Sequence, residues 1–141
     1  MVAGLLELSL APKMSAQPMP ALPDIRVLIV EDELLVALDV EMALIDAGHD
    51  VVGTAATERE AVEMALRLRP DVMLVDLRLA NGGCGRSVAE KVLAEIEVAV
   101  IFASGNLSPE MQRRLACLEP VAMIGKPYLD SQLLGAVQLV A

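Results

Sequence analysis

Five apolar runs of strand length divide the chain between residues 26 and 124, and a helix-patterned stretch follows each one. The third, Val72-Met73-Leu74-Val75, has no polar face, which marks a strand buried on both sides. The others are Arg26-Val27-Leu28-Ile29-Val30, Val51-Val52-Gly53-Thr54-Ala55, Val98-Ala99-Val100-Ile101-Phe102-Ala103 and Val121-Ala122-Met123-Ile124. Strands alternating with helices imply an α/β domain with a parallel sheet covered on both faces. Right-handed crossovers leave few arrangements, and five strands in a chain of 141 residues suit a doubly wound sheet of order 2-1-3-4-5.

Local signals punctuate the intervening helices. After the first strand, Leu35, Leu38, Met42 and Ile45 fall on one helical face, and Gly48 supplies a stop. Thr57-x-x-Glu60 reads as a capping box for the second helix, which Pro70 ends, and Ser87-x-x-Glu90 reads as another for the third. Ser108 with Pro109 opens the fourth helix. Asp130 is placed to cap the fifth, and Lys126-Pro127 suits a cis bond in the turn before it. Leu133, Leu134, Val137 and Val140 of that last helix could in part face a weak homodimer partner, although core packing is the simpler account of most of them.

Residues 25–141 form one domain on this reading, with a core of aliphatic side chains, since aromatics are only 1% of the sequence. Residues 1–24 differ: Pro12, Pro18, Pro20 and Pro23 break any periodicity, and the segment is expected to be a flexible N-terminal extension with at most a helical turn at 4–9. Met14 and Met19 are alternative starts. The net charge of −9 leaves no excess of Lys and Arg to neutralise nucleic-acid phosphates or an anionic membrane surface. No apolar run has the length of a membrane span. Cys84 and Cys117 match neither CxxC nor a zinc pattern, so free thiols in a reducing cytoplasm are expected.

In an open parallel sheet, ligands bind at the carboxyl ends of the strands, in the crevice between strands one and three where the order reverses. Reading that edge gives Glu31 and Asp32 after strand one, Asp76 after strand three, Ser104 after strand four and Lys126 after strand five. Three carboxylates together repel one another, and a hard divalent cation such as Mg²⁺ offsets this with one or two carboxylates, waters and phosphate oxygens. Lys126 adds a fixed positive charge. An Asp beside both is placed to attack a phosphoryl group, and the Ser104 hydroxyl can donate to a transferring oxygen.

These residues resemble the receiver domain of two-component response regulators, a flavodoxin-like (βα)5 fold. Val30-Glu31-Asp32, Val75-Asp76, Ala103-Ser104-Gly105 and Gly125-Lys126-Pro127 stand in the family's order, and the resemblance covers residues 25–141. It implies that Asp76 is the phosphoacceptor. Asp32 would hold Mg²⁺ directly and Glu31 through water, with the Arg78 main-chain carbonyl as a further ligand. Ser104 and Lys126 would sense the phosphoryl group, and the donor would be a sensor histidine kinase or a phosphotransfer protein. Such a protein is a signalling module or phosphate shuttle rather than a metabolic enzyme, with at most slow self-phosphorylation and self-dephosphorylation.

Two departures bear on switching. Many receivers carry Tyr or Phe three residues before the Lys, where this chain has Met123. The loop after Asp76 lacks the usual Met-Pro pair and reads Leu79-Ala80-Asn81-Gly82-Gly83. With Phe102-Ala103-Ser104-Gly105, this looks like the stand-alone alphaproteobacterial receivers whose fourth strand ends in Phe-Ala-Thr-Gly, departing from them at Asn106-Leu107, where a Tyr is expected nearby. Ser104 and a shift of the fourth helix are therefore expected to carry the signal. A haloacid dehalogenase-type phosphohydrolase would want an acid two residues after Asp76, and position 78 is Arg. A pseudo-receiver that binds partners without being phosphorylated is the remaining alternative.

Overall fold

In the computed structural model, residues 24–140 are described. The expected N-terminal extension, apart from Asp24, lies outside them. Five strands form one parallel sheet: β1 (Arg26–Val30), β2 (Asp50–Ala55), β3 (Val72–Asp76), β4 (Ala99–Ser104) and β5 (Ala122–Gly125), in the order β2-β1-β3-β4-β5. The crossovers carry α1 (Leu34–Asp46), α2 (Glu58–Leu68), α3 (Gly85–Leu93) and α4 (Pro109–Ala116), and α5 (Asp130–Gln138) closes the fold. This is the doubly wound arrangement read from the alternation of runs.

Strand periodicity splits the core into two layers. Leu28, Val30, Met73, Val75, Val100 and Phe102 face one side and pack with residues of α2, α3 and α4. Val27, Ile29, Val72, Leu74 and Ile101 face the other and pack against α1 and α5. Leu133 and Val137 of α5 are fully buried there, so core packing accounts for both, and neither is available to a dimer partner.

The apolar face read for α1 is a single face of the helix, but not the one that meets the core. Leu35, Leu38, Met42 and Ile45 point into water, with Leu35 80% exposed, and the helix packs instead through Ala37, Val40 and Leu44. Ten of its thirteen residues are apolar, so periodicity could not choose a face. The small Ala37 and Val40 let the helix sit close to the sheet.

Caps follow the sequence at three ends and depart from it at two. Thr57 Oγ1 accepts the Glu60 N–H at 3.2 Å, and Ser108 Oγ accepts that of Met111 at 3.2 Å. Gly48 ends α1 with φ +91°. Ser87 is not a cap, because α3 already begins at Gly85 and the Ser87 hydroxyl is drawn to Glu58 at 2.5 Å. Asp130 is the first residue of α5 rather than its cap, and Gln132 Oε1 accepts the Leu129 N–H at 2.8 Å. The Lys126–Pro127 bond is cis.

Candidate functional site

Register brings the polar residues together. Val30 pairs with Val75, so the next residues, Glu31 and Asp76, stand side by side at the strand ends. Asp76 pairs with Ala103, and Ser104 with Gly125, which puts Lys126 one step beyond Ser104. The ladder continues through this edge: Glu31 N–H donates to Ala55 O at 2.9 Å, and Lys126 N–H donates to Ser104 O at 2.8 Å. The functional side chains thus sit on hydrogen-bonded backbone, which fixes their origin as rigidly as the sheet itself.

Lys126 Nζ donates to Glu31 Oε1 at 2.6 Å and to Asp76 Oδ2 at 2.8 Å. Both acids are buried; Asp32, their neighbour, is exposed at the mouth. One carboxylate oxygen from each of Glu31, Asp32 and Asp76 lies within 4.8 Å of the others. Burial pushes the Glu31 carboxyl above the usual range, while hydrogen bonds from Lys126 and from the Glu33 N–H pull it back. Burial opposes the charge of Lys126 too, but its hydrogen bonds to Asp76 and Glu31 prevail and hold its pKa above that of an ordinary lysine. The ammonium is therefore a fixed charge at neutral pH.

Above this pair lies a cleft of about 390 Å³, lined by Asp32, Asp76, Arg78, Ser104, Asn106 and Lys126 among others. The Arg78 N–H donates to Asp76 Oδ1 at 3.1 Å. The loop beyond is closed by an antiparallel bridge between Arg78 and Cys84, whose hydrogen bonds use the carbonyls of Leu77 and Gly83 rather than that of Arg78. Ser104 is buried and its Oγ accepts the Asn106 N–H at 3.0 Å. All six residues singled out from the sequence, Glu31, Asp32, Asp76, Arg78, Ser104 and Lys126, thus meet at one edge. Met123 is half-buried against the β4 core layer and pairs with Phe102.

Two supporting residues escaped the sequence reading. Glu58, at the start of α2, accepts from the Cys84 N–H, the Ser87 hydroxyl and the Lys91 ammonium, and so ties down the loop after Asp76. These bonds, the Ser87 one foremost, lower its pKa to about 2. Its partners lie 26 to 33 residues away, and no local pattern announces them. Gly85 packs against the backbone of Asp76, where a Cβ would meet the Asp76 carbonyl oxygen and Val75 Cγ1. The run Gly82-Gly83-Cys84-Gly85 was a hint of it.

The family model for the response regulator receiver domain matches residues 27–138. The chain belongs to that family. This receiver is 39% identical over 103 residues to the phyllosphere-induced regulator PhyR of Methylorubrum extorquens, covering 72% of this chain and 38% of that protein. It is 32% identical over 117 residues to the transcriptional regulatory protein PdtaR of Mycobacterium tuberculosis, covering 81% of this chain and 55% of that one. The receiver thus spans less than two thirds of the length of either relative. Among solved structures, the signal receiver domain of a modulated diguanylate cyclase from Desulfovibrio desulfuricans superposes with a TM-score of 0.75 at 31% identity, over 83% of this chain and 93% of that one. Among the described residues of the receiver, no helix is long and apolar enough to cross a membrane.

Proposed function

We propose that this receiver, with residues 25–141 as its domain, accepts a phosphoryl group on Asp76 from a histidine kinase or phosphotransfer protein in a Mg²⁺-dependent reaction. It then signals through protein–protein contact or passes the group on. The observation that carries this reading is the placement of the Lys126 ammonium between Glu31 and Asp76, beneath an open cleft that Asp32 borders.

The donor set fits a hard cation: three carboxylate oxygens within 4.8 Å of one another, beside a loop carbonyl, that of Arg78, left out of the loop's own hydrogen bonds. Asp32, Asp76 and the Arg78 carbonyl would hold Mg²⁺, with Glu31 linked through water. Bound there, the ion supplies positive charge to the transferring oxygens. An Asp76 carboxylate oxygen attacks phosphorus in line with the P–N bond of a phosphohistidine. The P–O bond forms as the P–N bond breaks, and the imidazole leaves with its electron pair and takes up a proton. Lys126, already charged, pairs with the incoming phosphoryl oxygens.

Ser104 supplies the readout. Turning its hydroxyl toward a phosphoryl oxygen gives up the Asn106 N–H, two residues before the Ser108 cap of α4. The segment leading into α4 then loses one of its tethers, so α4 moves without an aromatic at position 123. Beryllofluoride with Mg²⁺ should shift the NMR resonances of residues 105–117; unmoved resonances would exclude this route.

Acetyl phosphate with Mg²⁺ tests the whole reading by intact mass. Wild type should gain one phosphoryl group, and Asp76→Asn should gain none. No gain by wild type would support the pseudo-receiver alternative.

A further inference from the structure

Glu58 lines no part of the cleft, yet its carboxylate is fully engaged by the segment that follows Asp76. Its Oε2 accepts the Cys84 N–H at 3.2 Å. Its Oε1 accepts the Ser87 hydroxyl at 2.5 Å and the Lys91 ammonium at 2.9 Å. The two α3 side chains pin the carboxylate, and the carboxylate pins Cys84.

Cys84 faces Arg78 in the antiparallel bridge. The bonds of that bridge, Leu79 N–H to Gly83 O and Gly85 N–H to Leu77 O, both 3.0 Å, flank the facing pair. In this pattern the facing residues do not bond each other, and each turns its own N–H and carbonyl outward. On Arg78 they turn toward the site, since its N–H donates to Asp76 Oδ1 at 3.1 Å. On Cys84 they turn the opposite way, to Glu58. The carboxylate and the Arg78 carbonyl thus sit on opposite sides of one bridge. We propose that Glu58 is a positioning residue for the cation: it holds the bridge from behind, so that the Arg78 carbonyl already stands beside Asp76 when an ion arrives. This inference rests on the reading of the cleft as a Mg²⁺ site.

The loop needs such a tie. Asn81 and Gly82 adopt φ of +62° and +75°, and Gly83 and Gly85 follow, so the segment gives up much conformational freedom when it is ordered. Gly83 also rests on Glu58, where an added Cβ would lie 3.5 Å from Glu58 Cβ. A ligand held in place beforehand spares the ion that ordering cost, and groups that orient metal ligands commonly change affinity by about ten- to a hundredfold.

Titration of the full chain with MgCl₂ tests the inference, followed at the amide resonances of Asp32 and of Leu79, whose N–H shares a peptide plane with the Arg78 carbonyl. Glu58→Ala should weaken the ion by roughly tenfold or more. Glu63→Gln removes the same charge from α2 but breaks only an exposed bond to Arg59, and it should bind as wild type does. Ser87→Ala, a milder variant that leaves the Cys84 bond to Glu58, should give a smaller loss in the same direction. In Glu58→Ala the Cys84 amide should exchange faster in EDTA and regain its protection at saturating Mg²⁺, because an ion that needs the ordered loop also orders it. A merely stabilising residue would lower the urea midpoint without this recovery. Unchanged affinity in Glu58→Ala and Ser87→Ala, beside a wild type that binds, would overturn the inference and leave the metal site standing. Wild type that shows no Mg²⁺-induced shift at Asp32 or Leu79 would overturn the metal site itself, and this inference with it.

Discussion

Replacing Lys126 by Met removes the ammonium that holds two buried acids together while keeping an unbranched side chain one atom shorter. Glu31 is 6% exposed, and among the described residues its other side-chain hydrogen bond comes from the Glu33 N–H at 3.1 Å. Removing one partner of a buried ion pair typically costs about 3–5 kcal/mol. Lys126 retains 23% side-chain exposure, so water already screens part of the interaction, and the expected cost falls to about 2–3 kcal/mol. For a domain of this size that lowers Tm by roughly 10 °C. The sequence has no Trp and a single Tyr, so far-UV circular dichroism in urea, with EDTA present at pH 7, is the suitable assay. The pH dependence has a definite sign. The Glu31 carboxyl already lies above its ordinary value in the folded protein, and losing Lys126 raises it further. A raised folded-state pKa stabilises at low pH and loses that contribution as pH rises through it, so the deficit of Lys126→Met should shrink on acidification toward the ordinary carboxylate range. A variant within about 0.5 kcal/mol of wild type at pH 7, with no such trend, would refute the assignment of Lys126 as the counter-charge of the pair.

Gly85→Ala sets a Cβ at 2.7 Å from Val75 Cγ1 and against the Asp76 carbonyl; it should cost about 1–3 kcal/mol in urea titrations and slow acetyl phosphate labelling several-fold. Gly48→Ala meets no atom within 4 Å, so only the φ of +91° opposes it, and the loss should be about 1 kcal/mol with labelling unchanged. Glu58 titrates at about 2, so its tie to the loop should be complete above the ordinary carboxylate range and weaken as pH falls from about 4.5 toward 2. Carboxyl ¹³C NMR reads that midpoint directly, and Glu58→Gln should raise hydrogen exchange at the Cys84 amide. Phe102→Leu removes the only Phe, from a core layer with no other aromatic, and should cost about 1–3 kcal/mol, since Met111 and Met123, packed on the same layer, can fill part of the space.

What could be read from the sequence was whatever a short window encodes. Strand identity came from apolar runs, and the helix starts at Thr57 and Ser108 came from side chains bonding three residues ahead. The site was legible for a topological reason: a parallel sheet puts every strand's carboxyl end on one edge, so the residue after each run has a known address. Where two faces of an element were equally apolar, as in α1, the choice depended on side-chain volume against the sheet, which no periodicity contains. Ser87 shows a second limit. It has the local pattern of a cap, yet a carboxylate from another helix at 2.5 Å outcompetes the cap geometry. Glu58 and Gly85 matter through tertiary approach alone.

Glu31 and Asp32 are neighbours in sequence with opposite environments, and the sheet explains the division. Glu31 is still bonded into the β1–β2 ladder, so its side chain shares the parity of Ile29 and is held under the edge against Lys126. Asp32 is the first residue off the ladder and faces water at the cleft. Three carboxylates and one ammonium leave a net charge of −2, the charge that one divalent cation cancels. Lys126 bonds both Glu31 and Asp76, but of the three acids only Asp32 and Asp76 line the cleft, so an entering cation meets those two. On the proposed reading, a cation entering there offsets that pair and leaves the Lys126–Glu31 contact in place. Asp32→Asn should therefore weaken Mg²⁺ binding sharply while leaving stability in EDTA unchanged or improved. Glu31→Gln should instead act chiefly on stability, because it strips Lys126 of a buried partner.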